Sequence, residues 1–523
     1  MARLPNLQLI PPFTDETDDI YRALLTARGQ LLPLTDTSNY IGALWDWSMA
    51  AALRVSHFSL YAPRTLVAAL GVLTVLATYQ LGRQWGGRLA GFLAAAMLST
   101  SPLHILVNSH VAWSNCVTPL FTTLGTWTIY AGVRGTAARP HMALLLSGLF
   151  WGLAFQTHPS AIALIAGSAV FLLYQGRTLM RTRWPYLAAG LFVLVNLNLL
   201  IYNLASGFSS LAYGSRVIAA YGKEIAVQYS GEQGLSAQLY FERLGRLLLG
   251  LSQGLGGGIE VRPGQADFLS DASLWLSALL AAAGVVVQWR RGNPLPLLLL
   301  TATLVVFPSF NGKYTVILNG RYLAPLLPVL YAASGALLAA GMRPLHAPHH
   351  SIGPRSALPA RLGPIALAGL AAFVVLHPLL NLQAYYGQAP PNQTNAGLLQ
   401  AIGQIEANRR PGEVVVIGRP AAEPQIGTAS GLPSKVFSLA LSLENAPYRV
   451  VDIDSNELLS PENRCRDQLV VVVPPARGRD LYIDEVAARL QLRSLEPKPA
   501  PGEVDVRYPV YRLDRLPDAP PGC

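Results

Sequence analysis

The sequence predicts a polytopic α-helical membrane protein that ends in a small α/β domain. The chain of 523 residues is 51% hydrophobic and 13% charged, with a mean hydropathy of +0.34, which is too apolar for a soluble globular protein. Its 29 carboxylates fall into three segments, with six in 15–46, six in 224–271 and seventeen in 406–518. Apolar runs of near-spanning length occupy the acid-free stretches.

The first element, residues 1–63, is predicted to be an external loop lying along the membrane. Four of the five residues 15–19 are carboxylates, at the start of a helical pattern that runs to about Gly29. They admit two interpretations. One is an ordinary helix N-terminus, with an acidic first turn that complements the helix dipole and Arg22 paired with Asp18 and Asp19. The other is a carboxylate pair that acts as a general base on a hydroxyl group at the membrane surface.

The second element, residues 64–381, is predicted to be a transmembrane domain of about ten helices. Carboxylates are excluded from spans because burying one in hydrocarbon is costly. The ten apolar runs lie at roughly 64–82, 89–106, 114–132, 142–156, 159–174, 186–205, 273–288, 295–310, 322–341 and 363–381.

The connecting loops predict the orientation of these spans. Five alternate loops carry twelve arginines and no acid, which marks them as cytoplasmic by the positive-inside rule. Residues 1–63, 206–272 and 382–523 are then external, in a multi-pass protein of the plasma membrane. An external N-terminus of 63 residues has no preceding span, so either a first helix is missing from this reading frame or the segment crosses without one; we favour the former.

The third element, residues 390–523, is predicted to be an extracytoplasmic α/β domain. Short β-rich runs at 414–417, 449–452 and 469–473 alternate with helical patterns near 395–408, 434–444 and 480–490. The three cysteines show neither metal-ligand spacing nor a disulfide framework. The net charge of +10 follows membrane topology, and no aromatic-interleaved basic patch predicts a nucleic-acid partner.

Several motifs together resemble the GT-C superfamily of membrane glycosyltransferases. They are Thr14-Asp15-Glu16 in the first loop, Arg321-Tyr322-Leu323 opening a late span, residues 29–42 followed by Arg64, and residues 101–104 leading to Ala112-Trp113. The branch they are most similar to holds the protein O-mannosyltransferases and the lipid A aminoarabinose transferase. The resemblance covers roughly residues 11–340.

This resemblance implies a transferase that takes a sugar from a polyprenyl-phosphate carrier at the outer face of the bilayer and gives it to a hydroxyl acceptor. Asp15 would be the general base, with Glu16 beside it, and a single displacement would invert the anomeric centre. Where the family commonly carries an arginine followed by an acid in its second external loop, this chain has His110 and Asn115. The acceptor stays undefined, and a divalent metal has no clear ligand set.

Five further residues are candidates for substrate binding. A guanidinium at Arg321 is suited to bidentate binding of a lipid phosphate, although an interfacial arginine also reaches water by snorkelling. Lys313 and Tyr314 are weaker versions of the same idea. His158 and His110 have the hydrogen-bonding groups to bind a sugar or phosphate, but a lone histidine at a membrane edge is often structural. The histidines at 346–350 are interpreted as solvated loop residues.

A transporter, flippase or binding protein for lipid-linked sugars is the alternative function. In such a protein the external acids would bind substrate without chemistry. Transporters usually place ionisable groups within spans near the midplane of the bilayer. The ten predicted spans contain no carboxylate, which counts against ion-coupled transport.

Overall fold

The computed structural model places most of the chain in α-helices. It describes residue 7 and the ranges 14–212, 237–258, 272–309, 319–342, 357–388, 396–421, 423, 432–455, 457–460, 464, 466–475, 479–495 and 508–515. Contacts divide the chain into two compact units. The first comprises 1–5, 32–48 and 65–388, and the second comprises 6–31, 49–64 and 389–523.

Helices of the N-terminal three quarters of the chain follow the predicted apolar runs closely. In chain order they are α1 (Thr14–Ala27), α2 (Leu44–Val55), α3 (Ala62–Gly86), α4 (Arg88–Thr100), α5 (Pro102–Val107), α6 (Thr118–Val133), α7 (Pro140–Thr157), α8 (Ile162–Gln175), α9 (Trp184–Val195), α10 (Leu197–Ala205), α11 (Ala237–Gly256), α12 (Ala272–Arg290), α13 (Leu295–Val306), α14 (Leu327–Met342) and α15 (Ala357–Gln388). Each of the ten predicted runs is helical. The number of spans stays a prediction.

Three helical stretches in the described residues are long and apolar enough to cross a membrane. They are Ala62–Gly86, Gly320–Met342 and Gly363–Gln383. The pair α9 and α10, bent by 59° at their junction, makes a fourth if it counts as one span. Shorter apolar helices, among them α4 and α13, complete the helical unit.

Small residues allow the helices of the first unit to approach closely. A β-carbon on Gly335 of α14 would lie 2.5 Å from the carbonyl oxygen of Ala90 in α4. A β-carbon on Gly148 of α7 would lie 2.0 Å from the carbonyl oxygen of Ala188 in α9. Such backbone contact is typical of membrane helices, which associate by packing because lipid gives no hydrophobic drive. Helix α14 is buried along most of its length.

A glycine-rich stretch at the end of α11 also packs closely. The helix continues to Gly256, and Gly254 is buried. A β-carbon on Gly254 would lie 2.8 Å from the side chain of Leu103. Here glycine permits close packing of helices.

The second unit contains a five-stranded mixed sheet. Its strands are β1 (Val415–Arg419), β2 (Tyr448–Asp452), β3 (Gln468–Val472), β4 (Arg493–Ser494) and β5 (Val510–Leu513). The order is β2-β1-β3-β5-β4, with β1, β2 and β3 parallel and the other pairings antiparallel. Strand β3 is buried at every position, as expected for a central strand covered on both faces.

Within the described part of the domain, three helices pack on this sheet: α16 (Ala396–Asn408), α17 (Pro433–Leu443) and α18 (Arg479–Leu490). One face of the sheet packs against α16 and α17 through a core that includes Val415, Ile417 and Phe437. The opposite face packs against α18 through Val470, Val486 and Leu490. The runs that predicted β1 to β3 and the three helices match these elements, whereas β4 and β5 were not expected.

Candidate functional site

The acidic motif lies in the first turn of α1, in the second unit. Asp15 is exposed, and it makes no hydrogen bond or ion pair among the residues that the structure describes. It lies in the first turn of the helix, where the helix dipole attracts negatively charged groups. Asp15 therefore has a carboxylate that an incoming molecule can reach.

Glu16, the next residue, has the opposite environment. Its side chain is 1% exposed and binds the guanidinium of Arg64, which is 2% exposed, through two hydrogen bonds. Arg64 Nε donates to Oε1 at 2.7 Å and Nη2 donates to Oε2 at 2.9 Å. Arg64 also donates from Nη1 to the carbonyl oxygen of Leu7 at 3.0 Å. This bidentate arrangement fixes α1 to the start of α3.

The other two carboxylates of the motif are Asp18, which is bound by a lysine of the same unit, and Asp19, which is buried. The Lys435 ammonium of α17 donates to both oxygens of Asp18, at 2.8 and 3.0 Å. Asp19 is 5% exposed. The predicted partner of Asp18 was Arg22 at i+4, but the structure pairs Asp18 with Lys435, which is 417 residues away in the chain.

In the first unit, Arg321 lies within an aromatic cluster. Its guanidinium carbon is 4.0 Å from the ring centroid of Trp113 and 4.8 Å from that of Tyr322. Nη2 donates a hydrogen bond to the Tyr322 hydroxyl at 3.1 Å. Cation–π contacts of this kind orient the planar guanidinium while leaving its charge intact. Arg321 is half-buried, so one part of the group stays accessible.

His158 extends this cluster from the connection between α7 and α8. Its ring centroid is 5.5 Å from that of Tyr322 and 6.5 Å from that of Tyr40. The backbone N–H of Ser160 donates to Nδ1 at 3.1 Å, which assigns the proton of the neutral ring to Nε2. Burial, together with the nearby charge of Arg321, lowers the pKa of His158 to about 3. The ring is therefore neutral at physiological pH and presents an N–H donor.

His110 is fully buried, and both of its ring nitrogens are engaged. Nδ1 is 2.8 Å from the Ser109 hydroxyl, and Nε2 is 3.1 Å from the Tyr386 hydroxyl. These contacts connect the segment after α5 to the end of α15. They favour the structural interpretation of His110 over the prediction that it binds substrate, a prediction that otherwise stays untested.

A short segment before α2 is fixed to the helical unit by one backbone hydrogen bond and one from an amide side chain. Gly42 N–H donates to the carbonyl oxygen of Gln156 at 3.0 Å, and Asn198 Nδ2 donates to the carbonyl oxygen of Leu34 at 2.7 Å. A β-carbon on Gly42 would lie 1.7 Å from Gln156 Oε1. A side chain at position 42 would therefore displace the Gln156 amide, and the backbone contact holds Tyr40 beside His158.

Some of the predicted site residues lie outside the described residues, and the others are divided between the two units. Lys313 and Tyr314 lie outside the described residues, as do the histidines at 346–350 and two of the cysteines, Cys465 and Cys523. Asp15 and Glu16 belong to the second unit, and Arg321, His158 and His110 to the first. No group of three or more potential metal ligands occurs among the described residues.

Three residues of these clusters had no assigned role in the sequence-based analysis. Arg64 lies in the first turn of α3, which the predicted topology places at the external face. A cation at that face departs from the positive-inside rule. That departure is a signal for a specific carboxylate partner. Trp113 and Tyr322 were noted only as parts of motifs, because nothing in the sequence indicates that they contact the guanidinium of Arg321.

Comparison with known proteins gives matches of two kinds. Residues 42–202 match the family model described as dolichyl-phosphate-mannose-protein mannosyltransferase. The structure is similar to that of ArnT from Cupriavidus metallidurans bound to undecaprenyl phosphate, with a TM-score of 0.58, 14% identity and coverage of 99% of this chain and 96% of that chain. The apo state of the same protein matches with a TM-score of 0.53 and 15% identity, covering 97% of this chain and 94% of that chain.

A third similar structure is the oligosaccharyltransferase of Archaeoglobus fulgidus tethered to an acceptor peptide, with a TM-score of 0.50 and 14% identity, covering 93% of this chain and 66% of that chain. The chain has the GT-C fold. The family match over residues 42–202 agrees with the predicted resemblance to GT-C-type glycosyltransferases. A comparison with curated protein sequences gives no match.

Proposed function

We propose that this protein transfers a sugar from a polyprenyl-phosphate carrier to a hydroxyl acceptor at the outer face of the membrane, with inversion. The observation that carries the proposal is the difference between the two adjacent carboxylates of α1. Glu16 is held by Arg64 in a buried bidentate pair, whereas Asp15 is exposed. A general base needs an ionised group that a substrate hydroxyl can reach, and in this pair only Asp15 meets that requirement.

The proposed chemistry is a single displacement. Asp15 accepts the proton of the acceptor hydroxyl, and the hydroxyl oxygen attacks the anomeric carbon of the donor sugar. The bond between that carbon and the phosphate oxygen breaks, and the polyprenyl phosphate leaves with the electron pair. Attack opposite the leaving group inverts the configuration. The ArnT structure with bound undecaprenyl phosphate supports a carrier of this class.

Arg321 is the proposed ligand of the donor phosphate. The phosphodiester of the donor gains negative charge as it leaves, and a fixed guanidinium stabilises that developing charge more than it stabilises the ground state. The contacts with Trp113 and Tyr322 hold the group in one orientation. The neutral His158, with its Nε2 proton, is the proposed hydrogen-bond donor to the same phosphate or to the sugar.

Substitution of Asp15 by asparagine tests the proposed base. Asparagine keeps the size and helix-capping ability of the side chain and removes its basicity. We expect transfer to fall by at least about a hundredfold, the usual contribution of a positioned base, with donor binding retained. The measurement is turnover by purified protein with a panel of polyprenyl-phosphate sugars that includes dolichyl phosphate mannose.

Asp467→Asn is the matched control, since Asp467 is an exposed carboxylate of the same unit and is paired with Arg410. We expect it to retain most of the wild-type activity. Normal turnover by a well-folded Asp15→Asn variant would contradict the mechanism. A wild-type protein that binds donor but forms no glycosyl product would favour the transporter or binding protein instead.

A further inference from the structure

Helix α1 is held from two sides, and one of them belongs to the sheet domain. On one side Arg64 binds Glu16, and Arg54 Nε donates to the carbonyl oxygen of Ala27 at 2.6 Å. On the other side α17 runs alongside α1. The proposed mechanism assigns no role to α17 or to the sheet.

Two polar contacts define the register between α1 and α17. Near the start of both helices Lys435 binds the carboxylate of Asp18 at 2.8 Å. Near their ends the Arg28 guanidinium donates to the carbonyl oxygen of Ser442 at 2.5 Å. The two helices therefore run in the same direction, so their N-termini lie at the same end.

The face of α17 between these contacts is apolar and buried. Leu439 is four residues after Lys435 and three before Ser442, so all three lie on one helical stripe. Its side chain is 3% exposed, and it is not among the side chains that form the core with the sheet. This stripe faces α1.

The opposite face of α17 is part of the sheet domain's core. Val436, Phe437 and Ala440 pack with Val415 and Ile417 of β1. A helix that is fixed to a central strand has little freedom to move relative to it, because cores are close-packed. The position of α17 is therefore set by the sheet, and the position of α1 is set in part by α17.

We propose that α17 is the element of the C-terminal domain that positions Asp15, with Lys435 as its main polar contact. The inference rests on the proposed role of Asp15 as the general base. Lys435 is a positioning residue, since it contacts Asp18, one turn further along α1 from Asp15. The C-terminal domain thus supports catalysis by positioning the helix that carries the general base.

Lys435→Glu tests this proposal, because it places a second carboxylate beside Asp18. Lys435 is 38% exposed, so folding should survive. Misplacement of a catalytic group by about 1 Å can cost about a hundredfold in rate. With other contacts of α1 retained, we expect kcat to fall about tenfold and the KM for the donor to stay unchanged.

Two further variants make the result specific. Reversal of the pair, with Asp18→Lys added to Lys435→Glu, should restore most of the lost kcat. Arg410→Glu is the matched control, since Arg410 forms an exposed ion pair with Asp467 at 3.1 Å in the same domain. It should leave kcat unchanged. A loss that the reversed pair does not restore, or that Arg410→Glu reproduces, would overturn the role of Lys435.

A second pair of variants tests the apolar stripe. Leu439→Ala and Leu490→Ala each truncate a buried leucine of the domain, but Leu490 lies in the core on the opposite face of the sheet. We expect only Leu439→Ala to lower kcat. Equal losses in the two variants would show that the domain acts through its stability alone.

Hydrogen exchange of the full-length protein separates this inference from the proposed function. Backbone amides of residues 18–27 should exchange faster in Lys435→Glu than in the wild type or in Arg410→Glu. Unchanged exchange would show that Lys435 does not hold α1, whatever the activity. Faster exchange, in a protein whose Asp15→Asn variant turns over normally, would preserve the docking of α1 and reject Asp15 as the base.

Discussion

At the scale of single residues, Asp15 and Glu16 show how adjacent identical charges acquire different roles. Successive positions on a helix point about 100° apart, so one carboxylate faces Arg64 and the other faces outward. Burying an ion pair is costly, and the pair repays that cost only with good geometry. The bidentate geometry of Glu16 and Arg64 meets this condition, which favours a structural role for Glu16.

Removal of one member of this buried pair should destabilise the protein strongly. Glu16→Ala leaves the guanidinium of Arg64 buried without its carboxylate, and such changes cost about 3–5 kcal/mol. We expect a clearly lower midpoint of thermal unfolding in detergent, measured by intrinsic fluorescence.

Glu242→Ala is the matched control, because it removes an exposed i,i+4 pair with Arg246. Such pairs contribute about 0.3–0.5 kcal/mol, so its unfolding midpoint should stay close to that of the wild type. Equal midpoints in Glu16→Ala and Glu242→Ala would contradict the buried pair.

Arg321 gives a prediction that depends on geometry and not on charge. Arg321→Lys keeps the positive charge but loses the planar fork and its stacking on Trp113 and Tyr322. We expect the KM for the donor to rise and kcat to fall, together reducing kcat/KM by about a hundredfold, which corresponds to two steps of about 1.4 kcal/mol.

Arg246→Lys is the control for that substitution, since Arg246 pairs with Glu242 in a half-exposed surface contact. Its kinetics should match those of the wild type. Donor kinetics of Arg321→Lys that are indistinguishable from the wild type would identify Arg321 as an interfacial anchor.

At the scale of elements, periodicity predicted the helices well because it depends on local sequence. The ten apolar runs became helices, and β1 to β3 fall on the runs of valine and isoleucine that predicted them. Strands β4 and β5 lack such runs, so pairing with β3 determines β5, and pairing with β5 determines β4.

The contacts of the candidate site are of a different kind. Glu16 and Arg64 are 48 residues apart, and Trp113 and Arg321 are farther apart still. Spacing in the sequence does not encode such tertiary contacts. The motifs predicted candidate residues, and the structure shows the side chains that contact them.

A pair of acids on α16 and at the end of α17 makes the second unit sensitive to pH. Burial raises the pKa of Glu444 to about 7, with a further contribution from the nearby Glu406. Arg409, whose Nη2 is 3.1 Å from Glu444 Oε2, lowers that pKa. The folded state therefore binds more protons than the unfolded state between about pH 4.5 and 7. Stability from this group is present at low pH and is lost as the pH rises through 7.

Glu444→Gln tests this dependence, since its side chain is neutral at every pH. We expect the wild type to lose stability between pH 5 and pH 8 relative to Glu444→Gln, measured as the midpoint of thermal unfolding in the same detergent. Asp467→Asn is the control of opposite sign. A backbone hydrogen bond from Arg515 lowers the pKa of Asp467, so the stability that its charge gives the wild type is constant between pH 5 and pH 8 and is lost only in more acidic solution. Parallel pH profiles for wild type and Glu444→Gln would reject the interpretation.

At the scale of the whole molecule, the orientation in the membrane is the condition for the proposed function. Twelve arginines in five alternate loops, and the confinement of all acids to the remaining segments, predict which ends of the helices face the cytoplasm. The donor reaction is proposed for the outer face. A general base on the cytoplasmic side could not accept a proton in a reaction at the outer face.

Cysteine labelling on intact cells tests this orientation. The background variant replaces Cys116, Cys465 and Cys523 by serine, and single cysteines are then introduced at two exposed positions. Ser494 lies on β4 of the C-terminal domain, and Ala138 lies in the loop between α6 and α7. We expect an impermeant thiol reagent to label Ser494→Cys on intact cells, because its domain is predicted to be external, and to label Ala138→Cys only after the membrane is permeabilised.

Labelling of Ala138→Cys alone on intact cells would reverse the orientation. It would also place Asp15 on the cytoplasmic side, since residues 6–31 and 389–523 belong to one compact unit, and the proposed transfer at the outer face would then be excluded.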